Sequence, residues 1–381
     1  MPDISKINAL AIGSVSKVDG LAKASILDID GIAVNPNINP DAATSGFLFT
    51  YSGAAAAYSV RQLNNNAPYV LRVRRVTGTG NTGNDDEADV KFDTTLTDPT
   101  ISLDSPVDNF SAGGSNATTL GEFLNVGTVG GTTYTDADSL SPNTAEAYAT
   151  TWYDLTGNQN HAEQTTPASQ PQIHSGTVNT DLITENGKPA VEFDGTNQYL
   201  ISSTWDGSSI ANLSHSRVYS TPSAAVADNA GTIWGFANST TPARYILSNP
   251  STILISGEYM SWSWSNLQTA PTFNDRLGST TYRRAANTQV LEFENWLASG
   301  FSFFQNGSSQ TIDLNTSGFS TSSVCSPSVT ITDRFGLAVL ARPAEDVLQA
   351  MKAQEFIFWD VDRSGNRTGI ETDVNGFFGT Y

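Results

Sequence analysis

One cysteine, Cys325, in a chain of 381 residues removes two classes of explanation. No intramolecular disulfide can form, and no cysteine cluster can hold zinc. Histidine is almost as scarce: His161, His174 and His215 are too scattered for a metal-ligand motif, and no cofactor is expected. Basic residues are also few, 19 Lys and Arg against 38 Asp and Glu, for a formal net charge of −19. Such a surface repels phosphate backbones and anionic lipid, so neither a nucleic-acid partner nor binding to a membrane surface is expected. No apolar run reaches the roughly 18 residues of a membrane span, which argues against membrane insertion. The N-terminus lacks the basic start and apolar core of a cleaved export signal, so export by that route is not expected. No phosphate loop, dinucleotide fingerprint or nucleophile–histidine pair is present.

What the chain has is turn chemistry. With 38% apolar and 15% charged residues and 31 glycines, it reads as many short strands joined by polar turns. Its length suits one large all-β unit. The most informative stretch is 150–164, T-T-W-Y-D-L-T-G-N-Q-N-H-A-E-Q. Ala149, Thr151 and Tyr153 alternate with Thr150 and Trp152, as in a half-buried strand. Asp154 stops the strand, and Thr156, Gly157, Asn158 and Asn160 supply a self-bonded turn. Two readings stand side by side: a structural corner, or a corner whose Asp154, Asn158, Asn160 and His161 rim a ligand groove.

Other segments fit the same plan. Residues 54–63 have the spacing of a short helix, followed by a strand over 69–76 with Arg72, Arg74 and Arg75 expected to pair with carboxylates. The acidic run 85–89 lacks the spacing of an EF-hand calcium loop. Residues 94–147 read as long loops and short strands. Asn186-Gly187 and Asp194-Gly195 are turn dipeptides bracketing a strand over 190–194. Near the C-terminus, 354–360 reads as a closing strand. Ser364 is an expected N-cap, Arg367 and Glu371 an i, i+4 pair, and Ile370, Val374 and Phe377 one apolar helix face.

The segment W-Y-D-L-T-G-N-Q-N-H-A-E-Q resembles the Y-D-Q-S-G-N-G-N-H-x-x-Q signature of the arabinofuranosidase-B type of glycoside hydrolase catalytic domain. A-A-Y-S-V-R-Q-L from Ala56, followed by V-L-R-V-R-R from Val70, resembles an upstream part of the same pattern. G-K-P-A-V-E-F-D-G-T-N-Q-Y-L from Gly187 is similar to the opening strand pair of laminin-G-like and concanavalin-like modules. These resemblances imply an all-β fold: a concanavalin/laminin-G-like β-sandwich, or jelly roll, over residues 41–381 with a short C-terminal helix. They imply hydrolysis less well, because the family's active-site vicinal cystine cannot exist with one Cys and its catalytic motifs find no match.

Residues 1–34 carry a repeat: I-S-K-I-N-A-L, V-S-K-V-D-G-L and I-L-D-I-D-G-I start at Ile4, Val15 and Ile26, 11 residues apart. Asp-Gly favours two-residue hairpins, so three strand–turn–strand units are expected. An 11-residue helical repeat competes, against which Gly13, Gly20 and Gly31 count. Three such units have too little apolar surface to stand alone. They form either a decorated edge of the sandwich or an extended arm over 1–40 that docks on a partner through Ile4, Ile7, Val15, Val18, Leu21, Ile26, Ile29 and Ile32. The arm is similar to N-terminal segments of structural proteins of tailed bacteriophages.

For chemistry, a glycosidase needs two facing carboxyl groups. Glu192, Asp194, Glu258, Glu292, Glu294 and Glu355 lie on strand-like segments, with Glu292 and Glu294 on one face. Binding a sugar asks less: aromatic platforms and a few fixed polar groups. Tyr259-Met-Ser-Trp-Ser-Trp puts Trp262 and Trp264 on one face of a strand, with Tyr282 and Trp296 as candidate neighbours, whereas Trp152 and Trp359 read as core. The expected carbohydrate-binding set is therefore Tyr259, Trp262, Trp264, Asp154, Asn158 and His161. The expectation is a non-enzymatic bacteriophage virion protein, a capsid decoration or fibre component. It would be assembled in the host cytoplasm as a homo-oligomer and exposed on the particle, touching other virion proteins through the arm and host cell-surface glycan through the sandwich. A glycoside hydrolase of α-L-arabinofuranosidase type and a bacterial adhesin are the competing readings.

Overall fold

The computed structural model describes residues 45–77, 84–111, 116–135, 145–205, 212–222, 231–237, 285–297, 300–312, 334–339 and 348–381, together with the backbone of several further strands. Six strands organise it: β1 (Ala56–Ser59), β2 (Leu71–Val76), β3 (Glu146–Trp152), β4 (Leu213–Ser220), β5 (Val290–Leu297) and β6 (Ala350–Trp359). β6 is the centre of the first layer. β4 runs along one edge of it, Arg217 opposite Phe356, and β5 lies beyond, Glu292 opposite Arg217. The other edge is shared: Val191–Asp194 pairs with its first half and β1 with its second, Ala57 opposite Ile357. The layer continues through Gln172–Ser175 to β3 and β2.

β3 belongs to both layers. Its start pairs with Gln172–Ser175, whereas Thr151 and Trp152 pair with Ala162–Glu163. From there the second layer runs through Leu200–Ser202, Arg334–Leu337, Trp234–Ala237, Tyr245–Ser251 and Tyr259–Ser265. The result is the all-β, concanavalin/laminin-G-like sandwich. Aromatic rings fill the space between layers: Phe358 meets Phe335 at 4.9 Å, Trp205 at 5.3 Å and Trp234 at 5.4 Å between ring centroids. Trp152 and Trp359 are fully buried, as their positions in the sequence imply.

Against β5 and β4 lies the C-terminal helix Arg367–Phe378, burying Ile370, Val374 and Phe378. The buried stripe therefore falls on Phe378, one residue beyond the expected Phe377, which is half-buried with the Lys188 ammonium 4.2 Å from its ring. Arg367 and Glu371 do pair. Ser364 does not cap this helix. It opens a 3₁₀ turn, Ser364–Asn366, with its N–H given to Asp362 Oδ1 at 2.8 Å, and the helix starts after it.

The helix expected over 54–63 is instead β1. All four of its residues are buried, and flanking backbone bonds, Ala55 N–H to Phe358 O and Val60 N–H to Gln354 O, extend the ladder. Pairing with β6 overrides the helical preference of alanine, which is the highest of any residue but is readily outweighed by tertiary context. Between 94 and 147 a helix that was not expected, Leu120–Leu124, is closed by a capping box of Thr119 and Glu122 and buries Leu120, Phe123 and Leu124. The arginines of β2 pair as expected: Arg72 with Glu87 and Asp89, Arg74 with Asp85, Arg75 with Asp86. The dipeptide Asn186-Gly187, φ 48° and 73°, makes the expected hairpin between Thr184–Glu185 and Lys188–Pro189.

In the N-terminal repeat, Lys17–Val18 pairs with Leu21–Ala22 and Asp28–Ile29 with Ile32–Ala33, Val18 opposite Leu21 and Ile29 opposite Ile32. These are the paired short strands expected of the second and third copies. Ile4, Ile7, Val15 and Ile26 lie outside the described residues.

Because Phe358 touches rings from both layers, Phe358→Ala should destabilise the sandwich by about 3–5 kcal/mol. Equilibrium urea unfolding measures this, and a loss near zero would mean that the rings close over the gap.

Candidate functional site

The corner after β3 is built around one carboxylate. Asp154 Oδ1 accepts from Ala57 N–H at 2.9 Å, Thr156 N–H at 3.0 Å and Thr156 Oγ1–H at 2.8 Å. Its Oδ2 accepts from Asn160 N–H at 3.1 Å. The carboxylate thus folds its own turn and fastens it to β1. Asn158 Nδ2 donates to the carbonyls of Ala54 (3.1 Å) and Ala55 (3.0 Å), and Asn160 Nδ2 to Ala55 (2.8 Å). The Tyr58 hydroxyl closes the turn on the Asn160 carbonyl. The polar atoms of Asp154 and the side-chain amides of Asn158 and Asn160 are therefore engaged within the protein.

His161 differs. Its Nδ1 accepts from Asp154 N–H at 3.1 Å, which assigns the ring proton to Nε2. The ring stands edge-on to Tyr153 at 5.0 Å and lines a cavity of about 230 Å³. Asp154 and His161 line this cavity, and Asn158 does not. The remaining walls come from residues the sequence reading passed over: Asn64, Asn66, Ala67, Pro68 and Tyr69 on one side, Tyr153, Leu155, Gly157 and Gln159 on the other. The signal available was the turn-rich run N-N-N-A-P-Y, but nothing local says that it faces the corner.

The strand Tyr259–Ser265 exists, Trp262 opposite Ser248 and Trp264 opposite Ile246. The period-two spacing thus places Trp262 and Trp264 on one side of the strand; the side chains of Tyr259, Trp262 and Trp264 lie outside the described residues, as do Glu258 and Tyr282.

Of the carboxylates considered for hydrolysis, Glu292 and Glu294 do share a face, but that face is the interior. Both are completely buried. Arg217 bridges them, Nε to Glu292 Oε2 at 2.6 Å and Nη2 to Glu294 Oε1 at 2.6 Å. The Tyr219 hydroxyl donates to Glu292 at 2.8 Å and Trp296 Nε1 to Glu294 at 2.9 Å. Burial works against the Arg217 charge, yet the two carboxylates outweigh it and hold the guanidinium pKa above its ordinary value. Trp296 is therefore a core residue. Glu355, also buried, is held by Arg61 at 2.7 Å and by Ser59 at 2.8 Å. Among the described residues no group of three or more His, Cys, Asp or Glu could hold a metal ion, and no helix is long and apolar enough to cross a membrane.

Burial holds the His161 pKa below its ordinary value. Protonation would also place a proton on Nδ1, where the Asp154 N–H bond ends. An unfolded His161 titrates near 6.5 and the folded one lower, so the unfolded chain binds more protons between the two values. Stability should be full above about pH 6.5 and decline as pH falls below it. His215, also lowered by burial, adds to the slope. Melting curves from pH 8 to 5 should show a shallower decline in His161→Gln, and an unchanged slope would exclude this contribution.

No family model and no curated protein matches the chain. Solved structures do. A GH54 α-L-arabinofuranosidase soaked with a cyclic sulfate inhibitor is similar with TM-score 0.50 and 12% identity, over 87% of this chain and 65% of that one. An arabinofuranosidase complexed with arabinofuranosyl-α-1,2-xylobiose matches with TM-score 0.47 and 13% identity, over 87% and 64%. The Ruminococcus gnavus IT-sialidase CBM40 bound to α2,3-sialyllactose matches with TM-score 0.32 and 12% identity, over 42% and 80%. The chain thus spans just under two thirds of the length of these arabinofuranosidases, and at 12% identity the first likeness is one of fold.

Proposed function

We propose that this chain is a non-enzymatic structural protein of a bacteriophage particle, a capsid decoration or a head or tail fibre component. In this reading the N-terminal repeat docks on another virion protein, the chain assembles as a homo-oligomer in the host cytoplasm, and the sandwich faces outward to touch host glycan. The observation that carries the non-enzymatic part is the state of Glu292 and Glu294. A fold shared with a glycoside hydrolase here has its same-face carboxylate pair completely buried and bridged by Arg217. A fold hosts many functions, and activity follows the site. The paired short strands at 17–33 support the arm: two tiny hairpins cannot be stable in water unless they pack on something. The stripe at Tyr259, Trp262 and Trp264 is one face we assign to glycan contact, on its period-two spacing.

Two outcomes test this reading. The purified protein should release no nitrophenol from 4-nitrophenyl α-L-arabinofuranoside. Turnover that vanishes in a Glu292→Gln or Glu294→Gln variant whose circular dichroism shows it still folded would establish the α-L-arabinofuranosidase reading instead. In a density map of the particle, residues 1–34 should run extended over a different chain. Deleting them should leave the melting temperature of the sandwich unchanged while blocking its incorporation. An arm that is helical, or that folds back only on its own sandwich, would end the docking proposal.

A further inference from the structure

The cavity at the corner has a chemistry of its own. Three rings stand in sequence along it: Tyr69 and Tyr153 with centroids 5.7 Å apart, then Tyr153 and His161 at 5.0 Å. Their positions are fixed from outside the cavity. The Tyr153 hydroxyl donates to Asp89 Oδ1 at 2.7 Å, and the Tyr69 hydroxyl accepts from Asn109 Nδ2 at 2.8 Å. Asn64 braces the floor, its Nδ2 bonded to the Leu155 carbonyl at 3.2 Å and its Oδ1 to Asn66 N–H at 3.0 Å. The rings and the turn are thus preorganised, which lowers the ordering cost of binding.

The polar groups left to a ligand are neutral. Among the described residues the only lining carboxylate, Asp154, is already saturated by backbone and hydroxyl donors. Among the described residues no Lys or Arg lines the cavity; Lys91 approaches the Tyr69 ring at 5.7 Å but is paired with Asp108 at 2.6 Å. What remains is the Nε2–H of His161 and the exposed side-chain amides of Asn66 and Gln159, none of which has a partner among the described residues. At about 230 Å³ the space falls below the roughly 300–1,000 Å³ of drug-sized ligand sites, and it suits one small ring.

We propose that this cavity receives a single neutral sugar residue at the end of a glycan. Its C–H face would lie on the tyrosine rings, and its hydroxyls would meet His161, Asn66 and Gln159. Aromatic faces combined with uncharged donors and acceptors fit a hydroxylated ring with an apolar face. A phosphate or carboxylate would find no cation here and would meet a chain of net charge −19. The proposal rests on the glycan-facing reading above and locates it at a second face, apart from the Trp262/Trp264 strand.

The test uses the full chain on an array of neutral and sialylated glycans, followed by calorimetric titration with the best neutral one. The variants are Asn66→Ala, Ala67→Trp to fill the space, Tyr69→Ala, and Trp262→Ala with Trp264→Ala as the contrast. Expected are binding to neutral-ended glycans, at least several-fold weakening in Asn66→Ala, and loss in Ala67→Trp. The contrast variant should still bind. The Asn66 side chain is exposed and carries no structural bond, so its melting temperature should be unchanged and an affinity loss there reports the site. Full binding in every cavity variant, with loss in the tryptophan variant, overturns this site and leaves the glycan reading standing. Binding confined to sialylated glycans overturns the neutral class. Absence of binding to any glycan overturns both the cavity and the glycan-facing reading.

Discussion

The carboxylate of Asp154 is the contact on which the corner depends. It joins β1, the end of β3 and the turn 154–160 by accepting two backbone N–H groups and one hydroxyl within a few residues, and one N–H, that of Ala57, from far along the chain. A buried carboxylate is costly unless its lone pairs are filled, and here they are filled by donors that would otherwise be unsatisfied themselves. The consequence reaches the cavity. With the turn fixed, Tyr153 stands between Tyr69 and His161, and His161 must present Nδ1 inward and Nε2 outward. At this corner Asp154, Asn158 and Asn160 hold the turn, while His161 and its neighbours line the cavity.

Local signals in the sequence were legible where the physics is local. The aromatic alternation before Asp154, the turn dipeptides at 186–187 and 194–195, the arginine–carboxylate pairing of β2 and the Asp-Gly spacing of the repeat all have partners within a short stretch or one hairpin. What failed depended on distant chain. Ala56–Ser59 is a strand only because β6, some 300 residues on, offers it an edge. The cavity needs the run 64–69 laid against 153–161, which follows from the pairing of β2 with β3. The helix Leu120–Leu124 is different, since T-L-G-E is a capping-box pattern that can be found in sequence. The stripe 370, 374, 378 against the expected 377 is a matter of which side of the helix meets β4 and β5.

The buried charges carry the argument one step further. Arg217 faces Glu292, and His215 faces Glu294, across the β4–β5 ladder. Slipping this pairing by one residue would turn the charged face of one strand outward and leave the others buried without partners. Breaking a buried pair in this way costs about 3–5 kcal/mol, whereas an apolar replacement of the whole set is often neutral. By this reasoning such a set adds little stability over an apolar core, while a shifted register is penalised. Catalysis would require the opposite, carboxylates held in an open cleft with one free to give up a proton and the other to accept charge. In this interior the same residue pattern, two glutamates two residues apart on one strand, lies opposite Arg217 and His215 of the next.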